Sequence, residues 1–432
     1  MKRLLSIFLC LSALLSVQAE ERSQVLRVSN WIDYIDLDLI SEFEEWYYQT
    51  TGEKIRVDYN TYSMPDSMYY QVADRHIDYD VCCPPEYLVE RMIRHNLLLP
   101  IDTADFTSHG VPNWINGTAS MLNEALQLYG DVYQVQARKY AVPFQWGTTL
   151  VVYNKKYVSR EEVESWKFLF NSKFRGKIRI KDAFSDLFTI LALYSGYDEV
   201  KEGRATRDQL AGNLTNENLM KIRDLMNRMR PQIVGWEFDD GKERMAAGED
   251  WLAVTWNGDG QWAANHAIPG VELDVVVPYE GSDLWVDCWV IPAYAGNVKA
   301  ASYWINFMSQ YERAIRCMKV TNWASAIGTP EMLAALTDST MGKAVDLSYF
   351  FGEAGKEVHI NSRVYSYPDH SVVDRLAIMR DVGDRMEDVR DFWDQMKSSG
   401  IQDRQTMPWL ISIFCLLAIL AVAFIFWKRR QK

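Results

Sequence analysis

Strand-like segments alternate with helix-like segments through residues 25–96, and this alternation restricts the chain to a small set of folds. Three apolar, strand-like segments lie at 25–28, 54–60 and 79–83. Three segments with helical periodicity follow them at 36–52, 63–76 and 86–96. Strands and helices in this order build a mostly parallel sheet that helices cover on both faces. We therefore expect an α/β fold, with a first helix that begins near Asp36 and ends before Gly52.

The same pattern continues in the middle of the chain. The strand-like segments there are "TTLVVYN", "KIRIKD", "WLAVTW", "LDVVVPY" and "WVDCWVIP". The last third is mainly helical, at 298–310, 311–320 and 372–398. The chain has 432 residues, more than one hydrophobic core usually holds, so two domains are expected.

Both ends of the chain carry long apolar segments. Residues 1–19 place Lys2 and Arg3 ahead of an apolar run, which is typical of a secretory signal peptide. Residues 408–427 are uncharged and long enough to form a transmembrane helix, and basic residues follow at 428–432. We therefore expect a periplasmic ectodomain that a C-terminal transmembrane helix anchors to the inner (cytoplasmic) membrane, with 428–432 as a cytoplasmic tail.

The charge balance limits the possible partners. The chain has 58 acidic and 46 basic residues and a net charge of −12. Nucleic acid repels such a chain, so we expect no nucleic-acid partner. A cationic ligand is permitted.

Four cysteines lie outside the two apolar ends. They are Cys82, Cys83, Cys288 and Cys317. Neighbours such as Cys82 and Cys83 point to opposite faces of a strand and are poorly placed to bridge each other. Buried free thiols are the simplest arrangement, and one long-range disulfide remains open in an exported protein.

Aromatic and acidic residues follow several of the strand-like segments, where ligands bind in open α/β sheets. The aromatic members are Trp31, Tyr34, Tyr87, Trp256 and Trp285. The acidic members are Asp33, Glu86, Asp182, Asp186, Asp259 and Asp287. Aromatic faces attract ammonium groups by about 0.5 to 2 kcal/mol each, and carboxylates form charge-assisted hydrogen bonds with them. The set suits an elongated aliphatic amine, although each ring also suits the core and Asp186 also suits a helix cap.

The sequence carries no strong catalytic pattern. Its six histidines include no pair at metal-ligand spacing, and it has no nucleophile elbow, phosphate-binding loop or dinucleotide fingerprint. We therefore expect no catalytic residue, metal or cofactor, and predict that the chain is not an enzyme. Two carboxylates among aromatic rings also occur in glycosidase clefts, which keeps a glycosidase-like enzyme as an alternative.

Six motifs follow one another along the chain. They are "SNWIDY", "YDVCCPPEYLVERM", "YAVPFQWGTTLVVYN", "WNGDGQW", "DVVVPYEGSDLWVD" and "AIGTPEM". Their order resembles the bacterial periplasmic spermidine/putrescine-binding proteins of ABC transporters over about residues 25–397. The resemblance implies a type II periplasmic-binding-protein fold, with two α/β lobes that close on a polyamine by a hinge motion. The implied lobes are 23–142 plus 286–330 and 143–285 plus 331–400.

The resemblance also implies roles for residues of each lobe. Trp31 and Tyr34 form a wall of the cleft from the first lobe, with Asp33 near an ammonium group. Tyr87 adds a ring or a hydroxyl. Trp256 stacks on the methylene chain of the ligand from the second lobe.

Five further positions are compared with the family near the crossover and in the second lobe. Trp285 and Asp287 lie at the crossover, where the resemblance implies that Asp287 holds an amine. Asp182 stands where the family has an acid after a strand, and Asp186 lies near a second family acid. Asp259 resembles the acid of the putrescine-preferring branch.

Other positions depart from the family pattern. Ile32 and Pro85 replace hydroxyl-bearing residues, and Glu86 adds an acid. Ile327 and Met379 stand near positions where the family offers polar contacts. These differences leave another organic cation open as the ligand.

The predicted function is that of a membrane-anchored solute-binding protein. It captures a polyamine, putrescine or spermidine, in an acidic aromatic cleft between the lobes and delivers it to the permease subunits of an ABC transporter. A sensor for a polyamine or another organic cation is the alternative.

Overall fold

The computed structural model describes residues 22–132, 135–237, 240–340, 344–361 and 366–405. In chain order, the strands are β1 (Val25–Trp31), β2 (Arg56–Tyr62), β3 (Val81–Cys82), β4 (Leu98–Leu99), β5 (Ala141–Gly147), β6 (Thr149–Asn154), β7 (Ile178–Lys181), β8 (Ile233–Glu237), β9 (Leu252–Trp256), β10 (Leu273–Val276), β11 (Ser282–Pro292), β12 (Ala324–Ser325) and β13 (Leu376–Ile378). The α-helices are α1 (Asp38–Thr51), α2 (Pro65–Ala73), α3 (Glu86–Arg94), α4 (Ala104–Ser108), α5 (Ser120–Val132), α6 (Phe184–Lys201), α7 (Arg207–Ala211), α8 (Asn216–Met229), α9 (Gly241–Ala246), α10 (Asn257–Asn265), α11 (Val298–Met308), α12 (Tyr311–Thr321), α13 (Pro330–Leu336), α14 (Ser348–Phe351), α15 (His370–Val373) and α16 (Met386–Gln405).

The larger sheet contains most of the N-terminal strands. Its strand order is β12-β5-β11-β3-β1-β2, and β4 and β13 also pair with β11. Strand β1 is parallel to both β2 and β3, as the alternation of strands and helices predicts. The prediction of a mostly parallel sheet fails beyond these three strands. Strand β11 is antiparallel to β3, β4 and β5 because it enters this sheet from the opposite end.

The smaller sheet contains the strands of the middle of the chain. Its order is β10-β6-β9-β7-β8. Strand β7 is parallel to β8 and β9, whereas β6 is antiparallel to β9 and β10. The carboxyl ends of β7 and β9 therefore lie at one edge of the sheet.

Helix α1 ends where the sequence predicts. Gly52 follows its last turn with a φ of +76°, a conformation that glycine adopts without a steric penalty. Its N–H donates a hydrogen bond to the Tyr48 carbonyl at 2.8 Å. At the other end, the Asp36 carboxylate accepts a hydrogen bond from the Asp38 N–H at 3.1 Å.

Extended segments connect the two sheets. Strand β5 of the larger sheet and β6 of the smaller sheet are separated by Thr148 alone. Strand β11 begins beside β6, where the Ser282 hydroxyl donates to the Thr149 carbonyl at 2.7 Å, and then pairs with β5. Gly147 lies at this crossing, and a Cβ atom there would lie 2.1 Å from Oδ1 of Asn257. The side chains of Asn257 and Trp285 approach so closely at this point that only glycine fits without a shift of its neighbours.

Two hydrophobic cores cover the two sheets, and their membership differs from the predicted lobes. Met332 and Phe350 pack in the core of the larger sheet, although 331–400 was expected in the second lobe. Trp393 and Met396 of α16 pack in the core of the smaller sheet. The short helices α13 and α14 have too few turns to show which core they face, so packing alone decides their place.

The fold class needs one correction. The expected signal peptide at 1–19, the transmembrane helix at 408–427 and the tail at 428–432 all lie outside the described residues. Among the residues that are described, no helix is both long and apolar enough to span a bilayer. The longest of them, α16, carries acidic and basic residues throughout its length. The two-lobe α/β part of the predicted fold class stands, and the transmembrane helix has no support in the structure.

Candidate functional site

A large cavity lies between the two sheets. Its volume is about 1180 Å³, and side chains from both sheets and from α16 line it. The predicted site residues that line it are Trp31, Asp33, Tyr34, Tyr87, Asp182, Asp186, Trp256, Asp259, Trp285 and Asp287. The fold therefore brings ten of the eleven predicted site residues to one cavity.

Two indoles of the cavity lie at the ends of strands. Trp31 is the last residue of β1 and Trp256 is the last residue of β9. Asp33 follows β1 in a left-handed turn with a φ of +53°, which Asp adopts more readily than most residues. The Asp33 side chain is 77% exposed and lies at the outer edge of the cavity, 3.8 Å from Nζ of Lys242.

The Asp287 carboxylate lies between two neutral hydrogen-bond donors. The Trp31 indole N–H donates to its Oδ1 at 3.0 Å, and the Tyr34 hydroxyl donates to its Oδ2. Asp287 is only 4% exposed and forms no ion pair with any residue that the structure describes. Burial raises the pKa of Asp287 to about 7, and the two hydrogen bonds oppose that rise. A buried carboxylate with neutral partners favours a ligand that brings positive charge.

Asp186 has a similar environment in the first turn of α6. The Trp256 indole N–H donates to its Oδ1 at 2.6 Å. The Thr149 hydroxyl lies 3.1 Å from Oδ1 of Asp186 and 3.1 Å from Oδ2 of Asp283. Burial, and then the neighbouring Asp283 carboxyl, raise the pKa of Asp186. Like Asp287, Asp186 forms no ion pair within the described chain.

The aromatic rings pack edge to face around these acids. The Trp31 and Trp256 centroids are 5.8 Å apart at an interplanar angle of 78°. Trp323 contacts three other rings, with centroid distances of 5.8 Å to Tyr34, 6.1 Å to Trp256 and 5.3 Å to Trp285. Such pairs contribute about 0.5–1.5 kcal/mol each beyond the area that they bury, so the rings hold one another in place.

A cation of the protein lies over the ring of Trp256. Nζ of Lys181 lies 4.3 Å from the Trp256 ring centroid, 3.1 Å from Asp259 and 3.1 Å from Glu237. Burial lowers the pKa of Lys181, but the two carboxylates raise it more, so the net shift is upward. A second lysine, Lys242, lies 3.9 Å from Asp259. Asp259 therefore contacts cations of the protein itself.

Asp182 also contacts a protein cation. Nζ of Lys397 lies 3.1 Å from Oδ1 of Asp182 and 3.0 Å from Oδ2, and the Trp393 indole N–H donates to Oδ1 at 2.6 Å. Both partners come from α16, which packs against the smaller sheet. The Asp182 carboxylate lines the cavity but holds this helix in place as well.

The remaining predicted residues lie deeper. Glu86 is completely buried and does not line the cavity. Its Oε2 accepts a hydrogen bond from the Val286 N–H at 2.8 Å, and its Oε1 has no hydrogen-bond partner within the described chain. Burial raises the pKa of Glu86 far above its usual value. Tyr87 and Trp285 line the cavity with rings that are buried over most of their surface.

Lys181, Lys242 and Trp323 are among the cavity residues that sequence reasoning missed. Trp323 follows α12 at Asn322, whose φ of +62° turns the chain sharply. Lys181 is the last residue of β7 and directly precedes the predicted Asp182. The strand-end rule that selects Asp182 could have selected Lys181 as well, whereas Lys242 and Trp323 carried no comparable signal.

The described residues offer binding chemistry without metal chemistry. They contain no group of three or more metal-ligating side chains. The four cysteines at 82, 83, 288 and 317 are buried free thiols, which is the simpler of the two arrangements expected. The cavity combines two buried carboxylates with several aromatic faces, an arrangement that suits a cationic organic ligand.

Comparison with known proteins identifies relatives of one functional class. Residues 38–338 match the family described as bacterial extracellular solute-binding protein. The spermidine/putrescine-binding periplasmic protein of Escherichia coli is 26% identical over 296 residues, which cover 68% of this chain and 75% of that protein. The putrescine-binding periplasmic protein of the same organism is 25% identical over 307 residues, again 68% of this chain and 75% of the relative. These relatives confirm the resemblance that the six motifs indicate.

Solved structures support the same fold. A putative spermidine/putrescine ABC transporter protein from Listeria monocytogenes superposes with a TM-score of 0.67 at 24% identity, covering 87% of this chain and 99% of the other. At this identity the likeness concerns the fold alone. The relatives are binding proteins by name and not enzymes, which agrees with the prediction that this chain is not an enzyme.

Proposed function

The chain belongs to the family of bacterial extracellular solute-binding proteins, and from this premise we propose that it captures a polyamine, putrescine or spermidine, in the cavity between its sheets. The relatives that carry polyamine-binding names are periplasmic, and we place this protein in the periplasm with them. There it delivers the bound polyamine to the permease subunits of an ABC transporter.

The environment of Asp287 carries this proposal. Its buried carboxylate has two neutral donors, Trp31 and Tyr34, and no cationic partner in the described chain. An ammonium group that binds there supplies the missing charge and compensates the cost of burying the carboxylate. The faces of the surrounding indoles attract the same group and cover the methylenes that follow it.

The connections between the sheets support capture by closure. The chain passes from one sheet to the other between β5 and β6, and again along β11. The cavity lies on the side where Trp31 and Trp256 meet. A small rotation at these strands separates the two indoles and opens the cavity. Hinge closure around a ligand needs only a few residues that absorb the change in backbone angles.

Calorimetric titration of the purified protein with putrescine and spermidine tests the proposal. We expect saturable binding of at least one polyamine and a loss of about 100-fold or more in Asp287→Asn, because the substitution removes the charge that pairs with the ammonium. The control is Asp198→Asn, which removes an acid whose side chain is 80% exposed and pairs with Lys201. Failure of the wild-type protein to bind any amine contradicts the proposal.

Delivery to a permease needs a second measurement. We expect uptake of labelled putrescine by cells to require both this protein and the permease subunits encoded with it. Polyamine binding without any effect on uptake points to a sensor instead.

A further inference from the structure

Lys181 lies in an environment that would suit an ammonium group of a ligand. Its Nζ is 4.3 Å from the centroid of Trp256 and 3.1 Å from the Asp259 carboxylate. An aromatic face beside a carboxylate is the environment that favours an organic ammonium ion. The protein has filled this environment with its own side chain.

Lys181 is held firmly in this place. It also contacts Glu237 at 3.1 Å, and its side chain is only 9% exposed. The two acids keep its pKa above the ordinary value, so the ammonium form persists at neutral pH. Moving this side chain aside would leave Glu237 buried without its cation and Asp259 with only Lys242, at 3.9 Å, so the fold opposes the movement.

The N–H edge of the same indole has no lysine beside its acceptor among the described residues. The Trp256 N–H donates to Asp186 at 2.6 Å, and Asp287 receives its hydrogen bonds from Trp31 and Tyr34. All of these donors are neutral. The ring of Trp256 therefore lies against Lys181, and its N–H contacts a carboxylate that has no protein cation among the described residues.

Three other acids around the cavity contact protein cations, whereas Glu243 is exposed to solvent. Asp182 contacts Lys397 through both oxygens, at 3.1 and 3.0 Å. Asp66 lies 3.3 Å from a guanidinium nitrogen of Arg91, and Asp33 is largely exposed, 3.8 Å from Lys242. Among the described residues, the buried acids of the cavity that have no protein cation are therefore Asp287 and Asp186.

We infer that the cavity recognises a single ammonium group of its ligand, at Asp287 and Asp186, and that Lys181 replaces the second. This inference rests on the proposed capture of an amine and specifies which part of the amine is read. A second ammonium on the ligand meets Lys181 rather than an open acid, so it adds little affinity. The ligand class is accordingly an aliphatic amine held by one end, with polyamines as its members of highest charge.

A pair of four-carbon amines tests the inference directly. Butylamine carries one ammonium group, and putrescine carries two on a chain of the same length. We expect the wild-type dissociation constants of the two, measured by calorimetry at pH 8, to differ by less than about tenfold. Putrescine binding more than about tenfold tighter than butylamine overturns the inference and leaves amine capture intact. Absence of binding by both amines overturns amine capture and the inference together.

A double variant provides the converse test. Lys181→Met with Glu237→Gln removes the cation and one of its two acids, which leaves Asp259 to receive the second ammonium. We expect putrescine affinity to rise about tenfold or more while butylamine affinity stays within about threefold. A folded double variant with no gain for putrescine overturns the inference, and thermal unfolding reports whether the variant is folded. If it does not fold, the wild-type ratio of the two amines decides.

A matched pair elsewhere serves as the control. Lys173→Met with Glu162→Gln makes the same chemical change in a lysine–glutamate pair that is partly exposed to solvent. Neither residue lines the cavity. We expect the ratio of putrescine to butylamine affinity to stay at the wild-type value, and an equal rise in this control would overturn a specific role for Lys181.

Discussion

The Trp31 indole N–H donates to the Asp287 carboxylate at 3.0 Å and joins two residues that are 256 positions apart in the chain. Trp31 ends the first strand of the larger sheet, and Asp287 lies in β11, which crosses from the other sheet. Both strands belong to the larger sheet, so the bond forms only when β11 has joined that sheet. It places a charged group of the crossover strand beside the aromatic wall of the cavity.

Amine binding should weaken as the pH falls through 7. Burial raises the pKa of Asp287 to about 7, so a proton competes with the cationic ligand below that value. For one such carboxylate we expect the affinity to be about tenfold lower at pH 6 than at pH 8. Calorimetric titration of putrescine at pH 6, 7 and 8 measures the change, and Asp198→Asn serves as the control. A dissociation constant that is constant over this interval contradicts the assigned role of Asp287.

Trp31→Phe should move this pH profile. The substitution removes the N–H that stabilises the charged carboxylate and keeps a ring beside Tyr62, whose centroid lies 5.0 Å from that of Trp31. We expect the midpoint of the profile to rise by about one pH unit, with about a fivefold to tenfold loss of affinity at pH 7 and little loss at pH 9. An equal loss at both pH values would indicate that the indole acts through ring contact rather than through its hydrogen bond.

The convergence of Trp31, Trp256 and Asp287 could be predicted from the sequence. Two of these residues end strand-like segments, and ligands bind beyond such ends in open α/β sheets. Asp287 is also expected among the acids that follow strands, but it lies inside β11, and the six ordered motifs supply its position. Strand periodicity also predicts the parallel arrangement of β1, β2 and β3 correctly.

The pairing of the acids could not be predicted in the same way. Asp182, Asp186 and Asp259 look alike in the sequence, as acids near the ends of strands or starts of helices. Their environments differ because Lys181 and Lys397 reach two of them from other elements. Side-chain reach across elements has no periodic signature, so the sequence alone does not distinguish an acid that meets a ligand from one that meets a lysine.

Asp287→Asn should stabilise the protein while it abolishes amine binding. The folded-state pKa of about 7 lies above the ordinary value of 3.8, so the unfolded chain loses this proton before the folded chain does. The free energy of unfolding therefore falls as the pH rises from about 4 to about 7, by an upper limit of about 4 kcal/mol from this group. Asn removes the penalty, because a neutral amide can accept from Trp31 and donate to Tyr34.

Urea denaturation at pH 5 and pH 8 checks this expectation. We expect Asp287→Asn to raise the free energy of unfolding at both pH values and to raise it more at pH 8. The exposed substitution Asp198→Asn should leave the difference between the two pH values unchanged. A variant that is less stable than the wild-type protein at pH 8 would show that the charged carboxylate stabilises the fold.

Glu86 should act on stability rather than on ligand affinity. It is completely buried, does not line the cavity and accepts a hydrogen bond from the Val286 N–H at 2.8 Å. Burial raises its pKa far above the usual value and so favours the neutral carboxyl, which Glu86→Gln imitates while it keeps an acceptor. We expect this variant to bind putrescine within about twofold of the wild-type affinity. Glu86→Ala removes the acceptor and should lower the free energy of unfolding by about 1–3 kcal/mol. Calorimetry and urea denaturation measure the two quantities, and a loss of more than about tenfold in affinity for Glu86→Gln would place this carboxyl in contact with the ligand.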